Sequence, residues 1–496
     1  MFNFLSKFIF VVYIFLVMQA QAGPLKWAAD TESGAPFVFF EAKNLKMTGF
    51  EFDLVQALSK KMNQQPQFVQ NAWDGLILGL NNNLYDMAIN GIEITDERKK
   101  SVFFTEPYYA TYLSITVRAG DIRFKKLSDL SGFKVGTLTG ALSEKVLRAE
   151  SGIQVVTYES ESLAHQDLAI GRLDAVLFDA PIAKYYSEVD SRFTVLPAVI
   201  GSMTYGIAVS KKNPELLKRL NQALQDLIDS GDLKLIYEKW GLWNQSTAQL
   251  FNDFSPTRRA PTEYEKYKQS LNKDRTLNER LQIYWKSGGL FLNAFVQTLK
   301  ISFVAMLGAV LFGLILVLMK TQKIKFIRYA AQIFVELIRG TPLLLQLFFI
   351  FYALPSIGLE VSAFWAAVIG LALNYSVQEA EIYHSGLKSI HPLQLDSAHV
   401  LGFNRWQTLF LIEIPQAFRF CLGPMTTDFL ALIKDSSLVS VITLVELTKT
   451  YSVLSGTYYD YVGFAVITAM LYLLAGMPLV ILSKWLDVKS NIYKIS

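Results

Sequence analysis

Long uncharged apolar runs occur in only two places in this chain, the extreme N-terminus and the region after about residue 290. That asymmetry limits the possible folds more than any other feature. An apolar run of ~20 residues is long enough to span a bilayer as a helix. Five such candidates lie near 291–319, 331–354, 361–378, 422–445 and 461–482. Basic residues follow a pattern around them. Lys320, Lys323, Lys325 and Arg328 come after the first candidate, Lys388, Arg405 and Arg419 lie between the third and fourth, and Lys484 and Lys489 come after the fifth. Five crossings put all three groups on one side, which the positive-inside bias assigns to the cytoplasm.

The N-terminal run has a different layout. Lys7 precedes the apolar stretch Phe8 to Met18, and Ala20-Gln21-Ala22 offers a small-residue cleavage site before Gly23. Residues 1–22 therefore read as a cleaved signal peptide, with an uncleaved anchor as the alternative. Hydrophobic residues make up 52% and charged residues 18% of the 496 positions, but this average covers two unlike parts. The formal charge of +4 is small and forms no basic stripe, so nucleic acid is not expected as a partner. A single cysteine, Cys421, rules out an internal disulfide. With four histidines and that one cysteine, no catalytic constellation and no metal set is expected.

Residues 23–245 alternate short apolar strands, such as Val135 to Leu138 and Leu173 to Phe178, with amphipathic stretches such as Asp53 to Met62 and Pro214 to Trp240. This alternation predicts α/β layers with parallel strands. Residues 246–289 are polar and charged, and they read as a connector and flexible tether of about 40 residues. Tyr264, Tyr267 and Leu271 fall at helical spacing within it, which predicts a helical segment resting near the membrane surface. A plain disordered linker is the alternative. Residues 290–496 form the membrane part.

Several ordered stretches carry a resemblance to a known family. Ala35-Pro36-Phe37, Gly49 through Leu54, Trp73-Asp74-Gly75-Leu76-Ile77, Asp86 through Arg98, Phe104 through Tyr109 and Gly171 through Ala175 resemble the amino-acid-binding proteins of polar amino-acid ABC importers. The resemblance implies a two-lobe periplasmic-binding-protein fold, with lobe 1 up to about 113 and again from about 206. Glu336 through Gln346 is similar to the permease subunits of the same importers, which implies an all-α, five-helix transmembrane domain. Gln394, Asp396, Ser397, Ala398 and Gly402, followed by Ile414-Pro415-Gln416-Ala417, resemble the loop by which such permeases dock their ATPase. Asp396 and Ser397 replace the glutamate and first alanine usual there, and Leu393 replaces a glycine.

An enclosed amino acid presents two fixed charges, and each needs a partner because an unpaired buried charge is costly. A guanidinium suits a carboxylate through its fork of donors. Arg98 matches the family's carboxylate-binding arginine. The Thr139–Ser143 stretch runs from a strand into a helix start, where free amides attract anions. Leu142 and Ser143 are its candidates. Asp179 matches the aspartate that holds the α-ammonium, and Glu93 either adds a second acceptor or forms a salt bridge at the cleft mouth. Asn90 and Gly91 belong to the same candidate set. Trp73 matches an aromatic that stacks on the ligand, and Asp30 an acid that meets its distal polar group. The aromatic expected on the opposite wall is missing, because Ser33-Gly34 occupies that region. These residues point to glutamine or a basic amino acid.

No G-x-x-x-x-G-K-[ST] loop is present, so ATP would be used by a separate cytoplasmic ATPase subunit. The resemblance also implies a permease homodimer in contact with membrane lipid, with the N-terminal domain outside the cell membrane. A ligand-gated channel or a sensor built on the same binding fold is the alternative.

Overall fold

Strands buried on both faces, with helices packed over them, are what short apolar runs alternating with amphipathic segments should produce. The computed structural model describes residues 23–41, 45–270, 275–359 and 361–492, and the signal peptide expected at 1–22 lies outside the described residues. The chain divides into two units: one runs to Asp274 and includes Gly456–Tyr458, and the other holds Arg275–Ser455 and Tyr459 onward.

The first unit holds the strands β1 (Leu25–Ala29), β2 (Phe39–Phe40), β3 (Met47–Thr48), β4 (Pro66–Gln70), β5 (Met87–Ala88), β6 (Val102–Phe104), β7 (Tyr109–Arg118), β8 (Lys134–Leu138), β9 (Gln154–Tyr158), β10 (Ala175–Asp179), β11 (Phe193–Tyr205) and β12 (Ala208–Ser210). One sheet has the order β4-β1-β5-β12-β6 and the other β11-β7-β10-β8-β9. Each contains a parallel block, β4-β1-β5 or β10-β8-β9, as expected. Antiparallel strands extend both sheets: β12 pairs with β5 and β6, while β7 pairs with β10 and β11. These two sheets are the two lobes.

The chain crosses between lobes after Phe104 and again after Tyr205. The first crossing thus comes earlier than the expected position near 113. The reason is register: β7 pairs with β11 from its first residue, Tyr109 opposite Tyr205, so all ten of its residues belong to the second sheet. Aromatic side chains pack near these crossings. Tyr109, Tyr205 and Tyr237 are fully buried, and the Tyr109 hydroxyl donates to the Leu242 carbonyl at 2.8 Å.

The segment expected to be a tether is instead bound to this unit through residue 270. Thr247 donates its hydroxyl to the Ala110 carbonyl of β7 at 2.8 Å, and Lys234 pairs with Asp253 at 3.0 Å. The helix Thr262–Ser270 sets Tyr267 against Phe39 and Tyr185, at ring-centre distances of 5.7 and 4.9 Å, and Tyr264 against Tyr185 at 5.1 Å. The helical spacing read from the sequence is real, but it packs the half-buried tyrosines on protein. Residues 271–274 lie outside the described residues.

The second unit is helical. The helix Leu277–Lys320 opens with a capping box formed by Thr276 and Glu279. It and the Tyr461–Trp485 stretch are long and apolar enough to cross a membrane. The expected span at 331–354 is a broken pair, Lys325–Arg339 and Leu343–Ala353, bent by 106°. Pro342 explains the break, since it lacks an N–H and disfavours helix in the residue before it. Counting that pair as one span gives three among the described residues, against the five expected. The helices Ala363–Lys388 and Ile414–Asp435 have the length but not the apolarity, because Asn374, Gln378, Glu379, Glu381, Asp428 and Lys434 interrupt them.

Small residues bring these helices together. A Cβ on Gly313 of Leu277–Lys320 would lie 2.7 Å from the Glu379 Cβ, and one on Gly308 would lie 2.9 Å from the Ala372 Cβ. Such close backbone approach is a usual basis of packing between apolar helices. Asp435 accepts the Tyr375 hydroxyl at 2.7 Å, and Glu446 caps the helix Leu447–Tyr458 while accepting the Tyr472 hydroxyl at 2.8 Å. These two charged residues hold helices to one another.

Candidate functional site

Thr95 starts the short helix Asp96–Ser101 by accepting the Arg98 N–H at 3.2 Å, with Asp96 and Glu97 in the first turn. From this turn the Arg98 side chain reaches back to Glu93. Its guanidinium donates to the Glu93 carbonyl at 3.1 Å, forms an ion pair with the Glu93 carboxylate, and reaches the Gly140 carbonyl of the other lobe at 3.1 Å. It also lies over the Trp73 ring, 5.4 Å from the ring centre.

The second Glu93 oxygen accepts the Leu142 N–H at 2.9 Å, at the start of the helix Leu142–Ala149. One carboxylate thus engages both donors that the sequence offers to an α-carboxylate, a guanidinium and a helix-start amide. Glu93 therefore forms a salt bridge at the cleft. The rest of the cradle differs from expectation. The Gly140 N–H donates to Glu144 at 2.7 Å, and the buried Ser143 hydroxyl bonds Thr137 at 2.6 Å. These donors are satisfied within their own lobe.

Asp179 ends β10 facing the same space and accepts the Tyr205 hydroxyl. Burial pushes its carboxyl up to about 8, and the Glu93 charge adds to this, while Tyr205 and Arg98 oppose it. Gly91 has φ +62°, and a Cβ there would come within 2.7 Å of the Phe37 ring. Its N–H donates to Glu51 at 2.6 Å. Asn90 bridges two loops, accepting the Asp30 N–H at 2.7 Å and donating to the Ser33 hydroxyl at 3.0 Å.

Between the lobes is a narrow cavity of about 20 Å³, room for about one water molecule. Trp73, Asn90, Gly91, Glu93, Ser143 and Asp179 line it, as do Ser33, Phe37, Leu138, Ala141, Glu161, Phe178 and Ile182. Arg98 and Leu142 are not on its wall, but both bond Glu93, which is. Asp30, expected to meet the ligand's distal group, is not among the residues that line this cavity. Its carboxylate accepts the N–H groups of Glu32 at 3.0 Å and Trp73 at 3.0 Å, and the Gln70 amide at 2.9 Å. A carboxylate with these three donors fixes the Trp73 loop instead. Phe37 and Phe178 supply the apolar wall that Ser33-Gly34 cannot.

Glu161 escaped the sequence reading. A glutamate at the start of a helix reads as a surface partner of the helix dipole, and only the packing of the helix Glu161–Ala169 shows that it is 1% exposed. His165, one turn on, is also buried, stacking on Phe178 and Tyr186 and bonding the Ser187 hydroxyl at 3.0 Å. Burial pushes its imidazole down to about 4.

In the second unit, the helix Pro392–Val400 carries Gln394, Asp396 and Ser397 on its exposed side and buries Ala398. Gly402, with φ +82°, ends the turn that follows. Val400 and Leu401 are 88% and 75% exposed, an apolar pair facing outward. A separate open cavity of about 550 Å³ in this unit is lined by Arg339, Glu381 and Asp428, among others.

Comparison with known proteins agrees with this division. Residues 25–242 match the bacterial extracellular solute-binding proteins, family 3, and residues 299–491 match the binding-protein-dependent transport system inner membrane component. The chain is 38% identical to the probable amino-acid ABC transporter permease protein YckA of Bacillus subtilis, over 35% of this chain and 77% of that protein. It is 32% identical to the L-cystine-binding protein TcyJ of Escherichia coli, over 42% and 80%. It is 33% identical to ABC transporter arginine-binding protein 1 of Escherichia coli, over 41% and 86%.

Proposed function

Because this chain belongs to the amino-acid ABC transporters, with a family 3 solute-binding domain fused to a permease domain, we propose that its cleft captures glutamine or a basic amino acid for import. The observation that carries this reading is the opposition of Asp179 to the Arg98–Glu93–Leu142 cluster across one small cavity. An α-ammonium pairs with Asp179. An α-carboxylate takes over the Arg98 guanidinium and the Leu142 N–H by displacing the Glu93 carboxylate. Like charge replaces like, so the exchange leaves no cation unpaired, and the released Glu93 turns to the α-ammonium. Because Arg98 and Leu142 come from different lobes, a bound amino acid holds the lobes closed. Arginine and cystine recognition by the relatives supports the substrate class.

The binding domain works outside the cell membrane, and the helical unit forms a multi-pass pathway in lipid as a homodimer. The permease family implies ATP use by a partner, which here is a separate cytoplasmic ATPase docking on Gln394–Gly402. Both sheets of the binding fold are complete before Arg275, so no pore segment interrupts them, and a ligand-gated channel is not favoured.

Calorimetry on the detergent-solubilised full chain, titrated with each of the twenty amino acids, tests the capture step. Binding of glutamine, arginine or lysine is expected, with on the order of 8 kcal/mol for a micromolar site. Arg98→Ala should weaken it at least tenfold; undiminished affinity would remove Arg98 from the site.

A further inference from the structure

We propose that Glu161 is the residue that reads the substrate's side chain, and that it selects a cationic one, a basic amino acid over glutamine. This rests on the reading of the cleft as an amino-acid site.

Glu161 opens its helix at the cavity wall, 1% exposed. Its Oε2 has no hydrogen-bond partner and no lysine or arginine pairs with it among the described residues. Its own backbone N–H is the donor set against its carboxylate, and Asp30 and Asp179 add negative charge nearby. The other acids around the cavity are engaged. Glu93 holds Arg98 and the Leu142 N–H, Asp179 accepts from Tyr205, and Asp30 accepts three N–H donors. Once the α-carboxylate is matched to Arg98 and the α-ammonium to Asp179, Glu161 is the acid left for a third ligand group.

A buried carboxylate is costly until a cation or strong donors meet it. A guanidinium or ε-ammonium supplies both charge and donors. A glutamine amide supplies only neutral donors and leaves Glu161 in the protonated form that burial favours, with no attraction between charges to gain. The wall between the two ends suits the same ligand, because Phe37, Phe178 and Ile182 offer apolar surface to an aliphatic stem that carries a charged head. Burial, joined by the repulsion of Asp30 and Asp179, holds the Glu161 carboxyl well above its usual range, and a fixed cation would lower it.

The test measures L-arginine, L-lysine and L-glutamine binding to the full chain in detergent, for the wild type, Glu161→Gln and Glu161→Asp, with melting curves for each. The wild type should bind arginine or lysine at least tenfold more tightly than glutamine. Glu161→Gln, nearly isosteric, should lose at least tenfold for the basic ligands and less than threefold for glutamine. Glu161→Asp keeps the charge and should keep the preference at lower affinity, which also decides the matter if Glu161→Gln fails to fold. Equal losses for all three ligands, or a wild type that prefers glutamine, would overturn the inference and leave the capture of amino acids standing. Failure of every amino acid to bind would remove both.

Discussion

Asp179 and Glu51 are both carboxyls whose burial raises their affinity for protons, and each sets a different pH dependence. Asp179 is held near 8 by burial and the Glu93 charge, and the proposed function has an α-ammonium pair with its ionised form. Ligand binding then releases a proton below about pH 8. Affinity should rise from pH 6 toward 8, by at most tenfold per unit, and level off above. Calorimetry in buffers of different ionisation enthalpy measures that proton, and a flat profile would exclude Asp179 from the ammonium site. Glu51 lies under the site, with one oxygen accepting the Gly91 N–H at 2.6 Å and the Tyr108 hydroxyl at 2.5 Å. Burial raises it from 4.5 to about 8. The folded chain therefore keeps this proton where the unfolded chain has lost it. The stability it contributes is full below 4.5 and declines as pH rises to about 8. Glu51→Gln keeps the acceptor oxygen and stays neutral, so its melting temperature should fall less than the wild type's between pH 5 and 8. An identical fall in both would show that Glu51 does not carry this dependence.

Among the elements, the helix pair Leu277–Lys320 and Ala363–Lys388 depends on the absence of side chains at Gly308 and Gly313. At Gly313 even a methyl group would meet the Glu379 Cβ at 2.7 Å and the Ser376 carbonyl at 3.1 Å. Gly313→Leu should push the helices apart, with overpacking costs on the order of 1–3 kcal/mol or more. A lower melting temperature and a smaller monodisperse fraction on size exclusion are expected, while amino-acid binding persists. Unchanged melting would show that the pair can relax. The sequence readily indicates that these helices exist, since apolar length is a local property. It does not mark which glycines face a neighbour, and the 106° bend at Pro342 was legible only as a proline.

For the whole molecule, the proposed function requires that binding outside and energy supplied inside be linked through the helical unit. Val400 and Leu401 present exposed apolar surface just after the helix Pro392–Val400, as a docking partner would require. In proteoliposomes with its ATPase, Leu401→Asp should cut substrate-stimulated ATP hydrolysis several-fold while leaving substrate affinity unchanged. Full stimulation in that variant would place the docking contact elsewhere. The linker also differs from a free tether, because Tyr264 and Tyr267 fasten it to the binding domain up to residue 270.

Sequence alone determined the division into a charged α/β part and an apolar helical part, because hydropathy and period are written residue by residue. Its ordered motifs also pointed to Trp73, Asn90, Gly91, Glu93, Ser143 and Asp179, which share one cavity wall. Only the tertiary structure decided what each acid does there. Asp30 and Glu161 look alike in the sequence, each a carboxylate near the end of an element. Packing surrounds Asp30 with three N–H donors and leaves an oxygen of Glu161 without a partner at the cavity. That difference depends on loops brought together from distant parts of the chain, and no local pattern encodes it.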